Sequence, residues 1–315
     1  MSVLKTKKIL KESFNFMREN SRFWFLGFFL IFFINHEINI IINILDQLTI
    51  YLVKLINNIK VPIIVQSKEI SNVFTLIYNS FRKIDLSNIF ILIIIILFLY
   101  LGLMAQIIVI SLTKYFNKKS DKSKISLKKI FIKSHKSLGP TIIIYLLLGG
   151  IISIFLNIPI LFKNYLASGT LPSWLIVNYI IITLLLSLIF AFIAKFSLFF
   201  IIIKKEKIFI SIKKSTKFLF KNWFSTIKIS LSLFVITILF GLIIFLIFLG
   251  ILIPISTFSQ LLIGLISPSL YLIFITILVS IISIIFLIIL SFFSYFQFLV
   301  WPLYFLKTFE SVKKM

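Results

Sequence analysis

Residues 204–228 read KKEKIFISIKKSTKFLFKNWFSTIK, eight lysines against one glutamate, set between two long apolar runs. On a helix, Ile208, Ile212, Ser215, Leu219, Trp223 and Ile227 recur at spacings of three and four and share one face. Lys213, Lys214, Lys217, Lys221 and Lys228 fall mostly on the other side. The spacing predicts a basic amphipathic helix lying in a membrane interface. Its apolar face would meet acyl chains and its lysines anionic headgroups.

Two further stretches resemble this one. Residues 126–142, SLKKIFIKSHKSLGPTI, align with residues 211–227, SIKKSTKFLFKNWFSTI. Ser126 matches Ser211, Lys128-Lys129 match Lys213-Lys214, Lys136 matches Lys221, and Thr141-Ile142 match Thr226-Ile227. Nearer the start, Leu10, Lys11, Ser13, Phe16 and Asn20 match Ile212, Lys213, Ser215, Phe218 and Asn222. Each copy precedes an apolar run. The chain therefore reads as three units, 1–113, 114–203 and 204–315, each a basic amphipathic helix followed by a membrane hairpin.

Composition excludes an ordinary soluble domain. Sixty per cent of the 315 residues are hydrophobic and 13% are charged, against about half and about a quarter in typical globular domains. A chain with so little polar surface belongs mostly in lipid. There are no cysteines, which removes disulfides, zinc thiolate sites and thiol catalysis. The net charge of +24 would suggest nucleic acid in a soluble protein. Here the lysines alternate with Phe and Ile beside membrane-length runs, a pattern that fits anionic lipid and not nucleic acid.

Six spans are expected, over 22–44, 86–113, 138–162, 174–203, 229–253 and 269–291. Residues 45–85 read as two short amphipathic helices, 45–59 and 69–83. Residues 254–268, bounded by Pro254 and Pro268, read as an uncharged loop, and Phe292 to Leu306 as an aromatic interfacial segment. Trp24, Trp174, Trp223 and Trp301 are expected at interfaces. The N-terminus, the 114–136 and 204–228 segments and the tail after 306 hold 26 of the 33 basic residues. Loops rich in Lys and Arg stay cytoplasmic, so both termini are expected inside, in a multi-pass protein of the cell membrane.

Few polar groups fall inside the spans. Lys195 lies nine residues before the cytoplasmic segment, roughly 13 Å deep at 1.5 Å per residue. An intramembrane charge is a functional candidate by default, although a lysine stem also reaches towards the interface. Glu37 and His36 are the other intramembrane candidates, placed near the outer end of the first span. Their depth argues against pairing Glu37 with Lys195. His135 sits among lysines, and two histidines without cysteine make no metal pattern. No Asp lies in a predicted span, and neither G-x-S-x-G nor G-x-x-x-x-G-K is present.

Phe196-Ser197-Leu198, Glu206, Lys213-Lys214-Ser215 and Lys221-Asn222-Trp223 together resemble the signature of a group of prokaryotic six-span membrane proteins. That group includes the membrane domain attached to some glycerophosphodiester phosphodiesterases, together with related families of unknown function. Ile212 stands where the pattern usually has a small residue. The resemblance follows span order over most of the chain and is specific over about 40 residues. In the fused proteins catalysis belongs to a separate soluble barrel, for which this chain has no room. The resemblance thus implies no phosphodiesterase activity.

The expected fold is an all-α polytopic membrane protein with about six transmembrane helices, forming a single integral membrane domain over 1–315. Basic amphipathic interfacial helices precede each hairpin. The expected function is non-enzymatic and without cofactor: organising lipids, or a partner protein, at the cytoplasmic leaflet. Lys128, Lys129, Lys213, Lys214, Lys217 and Lys221 would contact anionic headgroups. The alternative is a small-molecule or ion transporter or channel using Lys195 and Glu37. A membrane lipid enzyme stands third and lacks a catalytic constellation. Single cysteines introduced at Ser120, Ser168, Ser215 and Ser256 should label from inside, outside, inside and outside respectively. Labels at Ser120 and Ser215 in opposite compartments would break the three-unit scheme.

Overall fold

A computed structural model describes residues 3–31, 86–117, 127–161, 173–263 and 267–313. Among these the protein is all-α, with no strand. The helices are α1 (Val3–Glu19), α2 (Phe25–Leu30), α3 (Leu86–Asn117), α4 (Leu127–His135), α5 (Leu138–Leu161), α6 (Ser173–Lys204), α7 (Ile208–Lys221), α8 (Trp223–Ile263) and α9 (Pro268–Lys313), with a 3-10 turn at Ser21–Phe23. Five of them, α3, α5, α6, α8 and α9, are long and apolar enough to cross a membrane. They fall on the second to sixth expected spans, with α8 and α9 running well beyond theirs. Of the first, only the part ending at Ile31 is described, and the expected helices over 45–59 and 69–83 lie outside the described residues.

Two expectations about the C-terminal third are corrected. Residues 254–263 are not a loop, because α8 runs through Pro254 to Ile263. Proline removes one helical hydrogen bond, but a backbone leaving the helix in hydrocarbon would forfeit several. Thr257 Oγ1 also donates to the Pro254 carbonyl at 2.9 Å. Nor does Phe292 to Leu306 form a segment separate from the last span. It continues the 46-residue helix α9, and Tyr295, Leu299, Val300, Tyr304 and Phe305 are fully buried in protein. Trp301 is likewise buried in protein. Hydropathy is the same whether an apolar side chain faces lipid or protein, so the sequence could not separate the two.

The chain divides into two compact units. One comprises Met1–Ile34, Leu112–Asp121 and Phe218–Met315, and the other Asn35–Ser111 and Lys122–Lys217. In the first, α9 packs on α2, α1 and α8. Ser291 Oγ donates to the Trp24 carbonyl at 2.7 Å, and the Trp24 ring meets Phe292 edge-on with centroids 4.6 Å apart. Trp24 Nε1 donates to the Met17 carbonyl at 3.0 Å, tying α2 to the end of α1. Gln297 Nε2 donates to Thr237 Oγ1 at 2.6 Å between α9 and α8, above the stacked rings of Phe240 and Phe293. Lys307 pairs with Glu12.

In the second unit α5 packs on α6, with Phe155 stacked on Phe190 at 5.9 Å. Gln106 and Tyr145 bond across α3 and α5, the Tyr145 hydroxyl donating to Oε1 at 2.8 Å. Such side-chain bonds hold membrane helices together at roughly 0.6–2 kcal/mol each.

Along the long helices the environment changes once. In α3, residues 92–99 are exposed on all sides, whereas 104–110 are buried on all sides. In α6, residues 196–203 are buried all round. In α9, residues 272–274 are exposed and 294–297 buried. A two-turn stretch buried on every side is a central core helix, and an apolar stretch exposed on every side requires lipid.

The crossing of α2 on α9 depends on Gly27, since a Cβ there would run into the Ser291 carbonyl. Gly27→Ala should force the helices apart and destabilise by about 1–3 kcal/mol, lowering the melting temperature in detergent and shifting Trp24 emission. Gly241→Ala, where nothing lies within 4 Å, should instead stabilise by up to about 1 kcal/mol through helix propensity. Equal effects at the two positions would rule out a special role for the crossing.

Candidate functional site

The sequence from 204 to 228 is not one helix. α6 ends at Lys204, and Lys205 adopts φ 59°. Its N–H donates to the Ile201 carbonyl at 3.0 Å, while the Glu206 N–H reaches back to Phe200 at 3.3 Å. This is a left-handed helix stop, usually made by glycine. Glu206 then precedes the first turn of α7, where a carboxylate favours the helix dipole, and it accepts from Lys214 Nζ at 2.5 Å.

One face of α7 is fixed to protein. Ser215 is fully buried, and its Oγ lies 2.6 Å from Ser197 Oγ on α6. Ser197 Oγ donates to the Ile193 carbonyl at 2.7 Å, and Ser215 Oγ to that of Ser211 at 2.6 Å. Small hydroxyl residues at this crossing let the two backbones approach closely. Ser211, Phe218 and Leu219 are buried on the same side. Phe218 packs against Phe305 with centroids 5.2 Å apart. The face carrying Ile208, Ile212, Ser215 and Leu219, expected to meet acyl chains, is therefore turned into protein at Ser215 and Leu219 and half-buried at Ile208 and Ile212. Periodicity located the face correctly but could not name what covers it.

The lysines lie where expected. Lys213, Lys214, Lys217 and Lys221 are all exposed along one arc of α7, and Lys128 is exposed on α4. Lys129 falls within α4. Lys195 is half-buried in α6, with buried Phe192, Phe196 and Phe199 nearby in the helix. His135 is exposed and lies 6.2 Å from the Tyr100 ring. His36 and Glu37 lie outside the described residues.

The helix junctions carry polar details that residue-by-residue reading undervalued. Asn222 ends α7, and its Nδ2 donates to the Phe218 carbonyl at 2.9 Å. Asn20, at the end of α1, donates to the Phe16 carbonyl at the same distance. Ser13 Oγ donates to Ile9 as Ser215 Oγ does to Ser211. Thr141 Oγ1 donates to the Ser137 carbonyl at 2.8 Å, and Thr226 Oγ1 to that of Asn222 at 3.1 Å. Thr141 and Thr226 are both fully buried, as are Ile144 and Ile229. Each of these pairs stands at the spacing of the aligned stretches, which was the signal that could have singled them out.

Lys205 supplies a direct test of the helix stop. A non-glycine residue in the left-handed region costs about 1–2 kcal/mol, more than the roughly 0.5–1 kcal/mol by which glycine costs extra chain entropy. Lys205→Gly should stabilise by up to about 1 kcal/mol, and Lys205→Val should destabilise. Both are read as melting shifts in detergent, and a loss of stability in the glycine variant would contradict the assignment. Comparison with protein-family models, with curated proteins and with solved structures finds no match to this chain.

Proposed function

We propose that this chain is a non-enzymatic integral membrane protein that gathers anionic lipid at the cytoplasmic leaflet, with both termini on that side. The carrying observation is the two-sided character of α7. One side is locked to protein through Ser215 and Leu219, and the other presents Lys213, Lys214, Lys217 and Lys221. A helix fixed in this way offers its charges at a constant place, and each lysine near an anionic surface contributes about 1 kcal/mol.

The reading extends to α1 and α4 as repeats of the same unit. Matching hydrogen bonds at Asn20 and Asn222, and at Thr141 and Thr226, support it. So does the exposure of Lys11, Lys128 and Lys213 at aligned positions. A membrane protein partner would use the same inner-leaflet surface.

The test uses the purified full chain in neutral detergent, titrated with phosphatidylglycerol and with phosphatidylcholine. Replacing Lys213, Lys214, Lys217 and Lys221 together by Gln should lower the preference for the anionic lipid at least tenfold. This is a conservative fraction of the roughly 4 kcal/mol that four lysines contribute. Losing the pair to Glu206 adds little, because that pair is partly solvent-exposed and screened. An unchanged preference refutes the proposal.

A further inference from the structure

Beyond its lysines, α7 exposes a second kind of surface. Phe209 is 81% exposed and Phe220 62%, and Phe224, in the first turn of α8, is 79% exposed. Phe209, Lys213, Thr216 and Phe220 follow at spacings of four, three and four, so the two phenylalanines share one edge of the helix. That edge is neither the protein-facing side, with Ser211, Ser215, Phe218 and Leu219, nor the centre of the lysine arc. The helix thus has three sectors: protein, phenylalanine and lysine. Ile210 is the one apolar residue within the lysine arc.

We propose that the phenylalanine edge of α7 inserts into the acyl-chain region of the cytoplasmic leaflet, so that the helix lies at the depth of the lipid glycerol groups. This rests on the reading of α7 as a lipid-binding helix and names the part of the lipid it had not assigned. Two features select acyl chains as the occupant. Exposed apolar residues lead from Phe224, past the exposed Lys228, along the membrane-crossing helix α8 through Leu231, Val235, Ile238 and Leu242. Lysines also border the edge, and Lys213 sits between the two rings, where its stem runs beside them and its ammonium reaches headgroup phosphates. A phenylalanine pair buried among acyl chains with lysines above it is the arrangement by which interfacial helices hold their depth.

The cysteine-free chain permits a clean test. Phe209→Cys, Phe220→Cys, Phe224→Cys and Lys214→Cys, each in the full chain, carry a nitroxide label in nanodiscs of mixed phosphatidylglycerol and phosphatidylcholine. All four side chains are exposed on the protein surface, and unchanged circular dichroism verifies each fold. Power-saturation measurements then compare collisions with oxygen and with a water-soluble nickel chelate. Oxygen should dominate at 209, 220 and 224 and nickel at 214, the ratio differing several-fold. Nickel dominating at 209 or 220 overturns the proposal. So does exclusion of both reagents there, which would mean that a second copy or another protein covers the edge. Nickel-accessible rings with a lysine-dependent lipid preference would sink insertion alone. Inserted rings without that preference would sink the headgroup reading alone.

Discussion

A peptide group inside a bilayer has no water to bond, and this constraint governs every described segment of the chain. It carries α8 through Pro254 and α9 through Pro302 without a break, because a kinked helix leaves fewer orphan groups than a loop. It also explains where the chain does leave the helix. The stops at Asn20, at 205–207 and at Asn222 lie in or beside basic segments, where solvent or a local carbonyl can serve the freed groups. Even there, the Asn20 and Asn222 side chains bond back to the preceding turn.

Within that frame, apolar surface has two possible sinks, lipid and protein. α3 uses both in succession: residues 92–99 are exposed all round, whereas 104–110 are enclosed. Helix α9, at roughly 70 Å for 46 residues, is more than twice the ~30 Å hydrocarbon thickness. That length is shared between exposed residues such as 272–274 and enclosed ones such as 294–297. The polar contact of Thr226 with Tyr304 is buried between α8 and the enclosed part of α9.

Which parts were legible in the sequence follows from the same distinction. The positions of α3, α5, α6, α8 and α9 were readable, because hydropathy reports the total apolar surface of a segment. The lysines of α7 were readable as exposed, because isolated charges are expensive to bury. The role of Ser215 was not, since a serine on an apolar face says nothing of a partner serine eighteen residues earlier. The burial of 292–306 was hidden for a related reason: Phe, Tyr and Trp suit an interface and a protein core equally well. Gly27 gave no local signal at all, as its role depends on Ser291 in a distant part of the chain.

That last contact has a consequence for how the protein is made. Trp24 and Ser291, hydrogen-bonded in the finished structure, are 267 positions apart. At a synthesis rate of about 5–20 residues per second, roughly 13–53 s separate the emergence of one from the emergence of the other. During that interval Met17, Phe23 and Leu30, all fully buried in the end, have no α9 to cover them. The nascent N-terminal segment must be sheltered by the membrane surface or by the insertion machinery, and the unit containing it closes only once the last helix arrives.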